Sequence, residues 1–167
     1  HNGRRRQRQM CIRDSIIQET YFACEKLGVY LEGTLLKPSM TCCGAECPDK
    51  VTPKDVARKT IEVMLKSVPE EVAGIVFLSG GLSEEAASIY LSEMNNVVVD
   101  TPWTVSFSYG RALQHSCLKA WAGSNIPAGQ AALLARAQAN SEASRGIYVP
   151  NSQPSSDEKL FVAGYTY

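Results

Sequence analysis

Three short stretches of this 167-residue chain carry side chains suited to a common chemistry. The first, VYLEGTLLKPSM from Val29 to Met40, is an apolar run of strand length that ends in Lys37, with Pro38 fixing the backbone behind it. A lysine amine taken out of water loses basicity and can attack a carbonyl carbon as a nucleophile. Taken by itself, Lys37 reads more simply as a strand-end lysine whose stem lies on apolar surface while its ammonium reaches water. The second stretch is Ser79-Gly80-Gly81, directly after the apolar run AGIVFL, Ala73 to Leu78. Two glycines let the backbone come close to an anion, with free N–H groups pointing at it. The third is Ser108-Tyr109-Gly110-Arg111, after WTVSF, Trp103 to Phe107. Gly110 permits close approach, and the planar fork of Arg111 suits a phosphate. SGG or GR alone is an ordinary turn. Amine, anion nest and guanidinium after three successive strands make a site.

Such a site requires elements that bring the three strand ends to one side. Ile16, Ile17, Tyr21, Cys24 and Leu27 recur at helical spacing, and Gly28 stops that helix. Val29–Leu36 is predicted as a strand buried on both faces. Thr41–Val51, with Gly44, Pro48 and three cysteines, reads as a loop. Thr52 is a ready N-cap and Pro53 a ready first helical residue for a helix through Lys66. Ala73–Leu78 is the second strand, and Ser83 with Glu84 and Glu85 opens the next helix. Trp103–Phe107 is the third strand, followed by a helix over about Ala112–Trp121. Pro127 falls in a loop, another helix covers Ala128–Ala143, and Gly146–Tyr167 is an extended tail. Strands alternating with helices of these lengths predict right-handed βαβ units and a parallel sheet, an α/β fold with its ligand site at the C-terminal strand ends. A complete (β/α)₈ barrel needs about 250 residues, so a small open sheet or part of a barrel is expected. Loops after the last two strands of a barrel commonly hold phosphate, which would place Lys37 on the strand just before them.

Composition removes several alternatives. An apolar content of 44% is ordinary for a soluble domain, and no run approaches the roughly 20 apolar residues of a membrane span. No apolar leader with a cleavage-like site stands at the front, so secretion is not expected and the six cysteines are read as free thiols. Of 17 basic and 17 acidic residues, five and one lie in residues 1–15, which leaves 12 against 16, a net of −4. That remainder has no electrostatic footprint for nucleic acid. Residues 1–15 have no apolar period and are read as a non-native, assembly-derived leader, disordered and outside the fold. Cys42 and Cys43 are adjacent and cannot easily both reach one tetrahedral zinc with Cys47, and His115 is on a helix, so no metal site is expected.

The segments LEGTLLKPSM (31–40), GIVFLSGGLSEEAAS (74–88) and TVSFSYGRALQ (104–114), with a terminal Tyr167, closely resemble class I fructose-bisphosphate aldolase. The likeness runs from about Ile16 to the end and covers the C-terminal part of that family's chain. It implies the last three βα units of a TIM barrel over residues 16–146, followed by a C-terminal tail over 147–167. It implies that Lys37 is the Schiff-base lysine, and that Ser79, Gly80, Gly81, Gly110 and Arg111 hold the phosphate beside the ketone. Tyr167 matches the mobile tyrosine that handles the proton on the bound three-carbon unit. The implied reaction cleaves fructose 1,6-bisphosphate to dihydroxyacetone phosphate and glyceraldehyde 3-phosphate in glycolysis and gluconeogenesis. It needs no metal or other cofactor, because the protonated imine is the electron sink. The implied setting is cytoplasmic, or plastidic in a photosynthetic source, and the family commonly forms homotetramers.

Two departures bear on activity. Ser39 stands where the family usually has asparagine, and the family's remaining acid–base groups belong to earlier strands. Glu32 is expected on the strand face opposite Lys37, a poor replacement. The chain alone is therefore expected to be inactive or nearly so. A non-catalytic phosphate-ester-binding fragment is the alternative, and three strands with an open edge also predict self-association.

Overall fold

The computed structural model describes residues 2–43, 51–97 and 100–161, with side chains from Ile12 onward. Helix α1 (Asn2–Lys26) leads to a 3-10 turn at Leu31–Gly33 and the short strand β1 (Leu35–Leu36). Then follow α2 (Pro53–Ser67), β2 (Gly74–Phe77), α3 (Glu84–Asn95), β3 (Thr104–Phe107), α4 (Arg111–Trp121) and α5 (Ile126–Ala143). The strands form one parallel sheet in the order β1-β2-β3. Leu35 pairs with Gly74, which pairs with Thr104, and Phe77 pairs with Phe107. The βαβ reading and the α/β class therefore hold.

Local chemistry explains the boundaries. Thr52 and Asp55 form a reciprocal capping box at the start of α2, with Pro53 just inside it. Ser83 caps α3 by accepting from the Ala86 amide, and Asn125 does the same for α5 through the Ala128 amide. Pro127, expected in a loop, instead occupies the first turn of α5, where its missing N–H costs nothing. Gly28 ends α1 with φ +68°, the left-handed conformation that suits glycine. Ile75 and Phe77 of β2, Ile61, Val63 and Met64 of α2, and Ala87 and Leu91 of α3 are essentially solvent-free and form the centre of the core.

Three expectations are corrected. The strand predicted over Val29–Leu36 shrinks to Leu35–Leu36, and Glu32 lies in the 3-10 turn, so strand alternation does not decide where it faces. Nor is this stretch buried on both faces: Val29 and Tyr30 are exposed, and Leu35 is 63% exposed on the outer edge of the sheet. The segment 1–15, expected to be disordered, is helical from Asn2. Its Arg and Gln residues are good helix formers, and lengthening a helix that already packs is cheap compared with nucleating one. That packing comes from Ile17 and Tyr21, both buried, and from the Gln18 amide donating to the Lys66 carbonyl at the end of α2 (2.9 Å). Among the described residues, no helix is long and apolar enough to cross a membrane.

Candidate active site at the strand ends

Lys37 follows β1 directly, between Leu36, paired with Ile75, and Ser39, bridged in parallel to Leu78. The Leu78 amide donates to the Pro38 carbonyl (3.0 Å), so the chain around the lysine is stitched to the loop that leaves β2. Lys37 is exposed, in line with the reading in which its ammonium reaches water rather than the one in which it is desolvated. Any selective reactivity must come from how a carbonyl compound is held beside it.

Ser79-Gly80-Gly81 lies between β2 and the N-cap of α3. Ser79 is buried, while Gly80 and Gly81 have φ of +56° and +86°, conformations that favour glycine. On the next strand, the Ser108 amide donates to the Phe77 carbonyl (2.9 Å), continuing the sheet to the start of α4. Tyr109 is buried with its hydroxyl donating to the Ala87 carbonyl (3.0 Å), and burial pushes its phenol pKa well above the ordinary tyrosine range. That anchor leaves Gly110 and Arg111 at the mouth of the site. A side chain at Gly110 would meet nothing within 4 Å, so the space beside it is open to a ligand.

The loops after β2 and β3 converge through a residue that sequence reasoning did not single out. The Leu160 amide donates to the Gly81 carbonyl (3.0 Å), and the Arg111 guanidinium donates to the Leu160 carbonyl. A Cβ on Gly81 would lie 2.9 Å from the Cα of Phe161. Gly81 thus permits a close approach, and what approaches is the chain's own tail. Gly81→Ala is expected to cost about 1–3 kcal/mol, from left-handed strain and the clash with backbone. Denaturant unfolding measures that loss, and faster trypsin cleavage at exposed Lys159 would report the freed tail.

Other sequence-flagged residues fall elsewhere. Tyr167 and Cys47 lie outside the described residues. Burial raises the Cys42 thiol to about 11, and no cluster of three metal-type ligands stands among the described residues. A surface cavity of 410 Å³ is lined by Lys54, Asp55, Arg58, Glu93, Asn96 and Val97 and shares no residue with the strand-end site.

Sequence reasoning also missed a buried polar cluster behind the site. Arg136 of α5 is solvent-free and donates to the Glu84 carbonyl (2.9 Å), the Ser88 hydroxyl (2.6 Å) and, weakly, the Pro154 carbonyl (3.4 Å). The available signal was an arginine inside an otherwise alanine-rich helix.

A parallel sheet in which a lysine and two glycine-bearing loops follow successive strands is the strand-end arrangement of an α/β protein. The family model "Fructose-bisphosphate aldolase class-I" matches residues 3–167, and the chain belongs to that family. The match begins inside the segment expected to lie outside the domain. The chain is 48% identical over 165 residues to fructose-bisphosphate aldolase B of Gallus gallus, covering 96% of this chain and 45% of that one. It is 48% identical over 160 residues to the cytoplasmic isozyme of Cicer arietinum, covering 93% of this chain and 44% of that one. A solved structure of fructose-bisphosphate aldolase from Plasmodium falciparum, in complex with TRAP and a small-molecule inhibitor, superposes with a TM-score of 0.83 at 40% identity. That match covers 87% of this chain and 42% of the other. The chain thus spans less than half the length of these relatives.

Proposed function

We propose that the chain carries the imine-forming and phosphate-holding half of a class I aldolase site, built on the last three βα units of a (β/α)₈ barrel. The observation that carries this reading is the placement of Lys37, Ser79–Gly81 and Gly110–Arg111 after three adjacent parallel strands. The phosphate next to the substrate ketone sits on the Ser79 hydroxyl, the backbone amides of Gly80, Gly81 and Gly110, and the Arg111 fork. This holds the ketone carbon against the Lys37 amine, where proximity rather than burial drives addition. Loss of water gives a protonated imine. The C4 hydroxyl then gives up its proton to a base, the C3–C4 bond of fructose 1,6-bisphosphate breaks with its electron pair moving into the imine, and glyceraldehyde 3-phosphate leaves. Protonating the resulting enamine is the task that the resemblance gives to Tyr167. Hydrolysis then frees dihydroxyacetone phosphate.

No metal takes part in this sequence, since the imine does the work a metal would do. The acid–base steps need carboxylates beside the lysine. Glu84 and Glu85, buried in hydrogen bonds on α3, are not available for them. The 167-residue chain by itself therefore forms the imine but turns over bisphosphate far more slowly than a full-length aldolase. A cytoplasmic setting, glycolytic and gluconeogenic flux and homotetramer formation belong to the same proposal. The names of the plant cytoplasmic isozymes among the relatives support the first of these.

Borohydride reduction of the imine tests the phosphate half. Dihydroxyacetone phosphate is expected to be trapped at least tenfold more efficiently than dihydroxyacetone, which lacks the anchoring group. Arg111→Ala removes a charge-assisted contact worth about 1.5–3 kcal/mol, so trapping of the phosphate ester should fall about 10- to 100-fold while dihydroxyacetone is unaffected. Equal trapping of the two ketones would sink the proposed phosphate role. Phosphate-ester binding with no trapped imine would favour a non-catalytic binding fragment.

A further inference from the structure

Glu84 and Glu85, in the first turn of α3, are both buried. Carboxylates near a helix N-terminus gain from its dipole, but burial is costly unless donors surround them. Here they do. Glu85 accepts from the Tyr148 hydroxyl (2.7 Å), the Asn151 amide (2.8 Å) and the Ser155 hydroxyl (2.8 Å). Glu84 accepts from the Ser156 amide (2.9 Å), and from the Ser116 amide (2.8 Å) and hydroxyl (2.5 Å) of α4. Apart from Ser116, every donor comes from one extended segment, residues 148–156.

That segment has no helix or strand to hold it in place. Further along, Glu158 meets Lys119 (2.6 Å) and His115 (3.2 Å), an exposed pairing of the kind that stabilises little. Leu160 is then buried and bonded to Gly81 and Arg111, at the mouth of the candidate site. Residues 161–167 span at most about 24 Å when extended. Where Leu160 is held therefore decides where the last residues can reach.

We propose that Glu84 and Glu85 are positioning residues that clamp segment 148–156 to the start of α3, and so hold Leu160 at its place beside Gly81 and Arg111. The proposal rests on the aldolase reading only for the role of the site that Leu160 borders; the clamp itself rests on the four hydrogen bonds from segment 148–156.

The test uses the full chain and reads amide exchange at Asn151 and Leu160 against Ile75 and Val105 in the sheet. Glu85→Ala is expected to speed exchange at Asn151 and Leu160 at least tenfold while Ile75 and Val105 stay within twofold. A second signature is optical. Burial, and then the bond to Glu85, push the Tyr148 phenol up to about 12. In Glu85→Ala it should titrate lower, toward the free value of about 10, with Tyr148→Phe identifying the transition. Glu85→Gln still has an amide oxygen that accepts two bonds and should restore both readouts partway. Should Glu85→Ala fail to fold, Ser155→Ala removes one donor from the segment's side and should still speed Leu160 exchange about threefold. Unchanged exchange at Leu160, or equal acceleration at all four amides, overturns the clamp. Absence of an adduct at Lys37 would count against the aldolase reading and leave these readouts intact.

Discussion

Lys37→Arg is expected to abolish the borohydride-trapped adduct with dihydroxyacetone phosphate, a loss of more than 100-fold. The substitution keeps the charge, the length and the exposed position at the end of β1. What it removes is the ability to give up a proton at any accessible pH, because the guanidinium stays protonated above pH 12 or so and has no lone pair to offer a ketone. If Lys37 served only as a positive charge drawing phosphate toward the strand ends, arginine would serve as well. Phosphate-ester affinity is therefore expected to stay within about threefold of the parent while the covalent adduct disappears. Reduction followed by intact-mass measurement, beside a binding isotherm on the same protein, separates the two roles.

The second large effect is on stability. Arg136→Met is expected to lower it by about 2–4 kcal/mol, or roughly 4–16 °C in Tm for a chain of this size. Methionine has a similar reach and no charge to desolvate, and replacing an entire buried ionic cluster by apolar side chains can be neutral or better. Only one member is replaced here, however. Glu84 and Glu85 remain buried, and the Tyr148 hydroxyl, bonded to Glu85, also lies within reach of the Arg136 guanidinium. Removing the guanidinium leaves the buried Glu84 carbonyl and Ser88 hydroxyl without the donor they share, and that penalty outweighs the gain from a drier core. Asn140 and Ser88 keep their mutual bond (2.8 Å) in the variant, so the loss should trace to the acceptors that Arg136 leaves unpaired. Thermal unfolding at pH 7 measures it.

These two sites differ in how far the sequence exposes them. The strand-end loops are legible because turn chemistry is local: a glycine pair after a β-branched run and a Gly-Arg after another mark the same structural position. The capped starts of α2 and α3 are legible for the same reason, since Thr52, Pro53 and Ser83 act within one turn. The stretch before Lys37 misleads. Its apolar residues read as one buried strand, yet a 3-10 turn takes Leu31–Gly33, with Gly33 lying against the Tyr30 ring, and leaves two residues for β1. An apolar run signals a demand for burial and is silent about which neighbours meet it. The Glu84–Glu85–Arg136 cluster is illegible for a related reason. Two acids after a serine cap look like ordinary helix-dipole residues, and their partners are Ser116, 32 residues on, and a segment some 63 to 72 residues further on.

The tail shows both limits together. Sequence reading takes residues 147–167 as extended and without period, and the described part has neither helix nor strand. Its attachment through Tyr148, Asn151, Ser155, Ser156 and Leu160 depends on polar partners that no periodicity reveals.

The central claim is that an exposed lysine is singled out by the loops beside it. The direct measurement is peptide mapping of the chain after borohydride reduction with dihydroxyacetone phosphate. The predicted result is one reduced adduct per chain, on the peptide that contains Lys37. An adduct spread evenly over Lys26, Lys66, Lys119 and Lys159, or none at all, would contradict it.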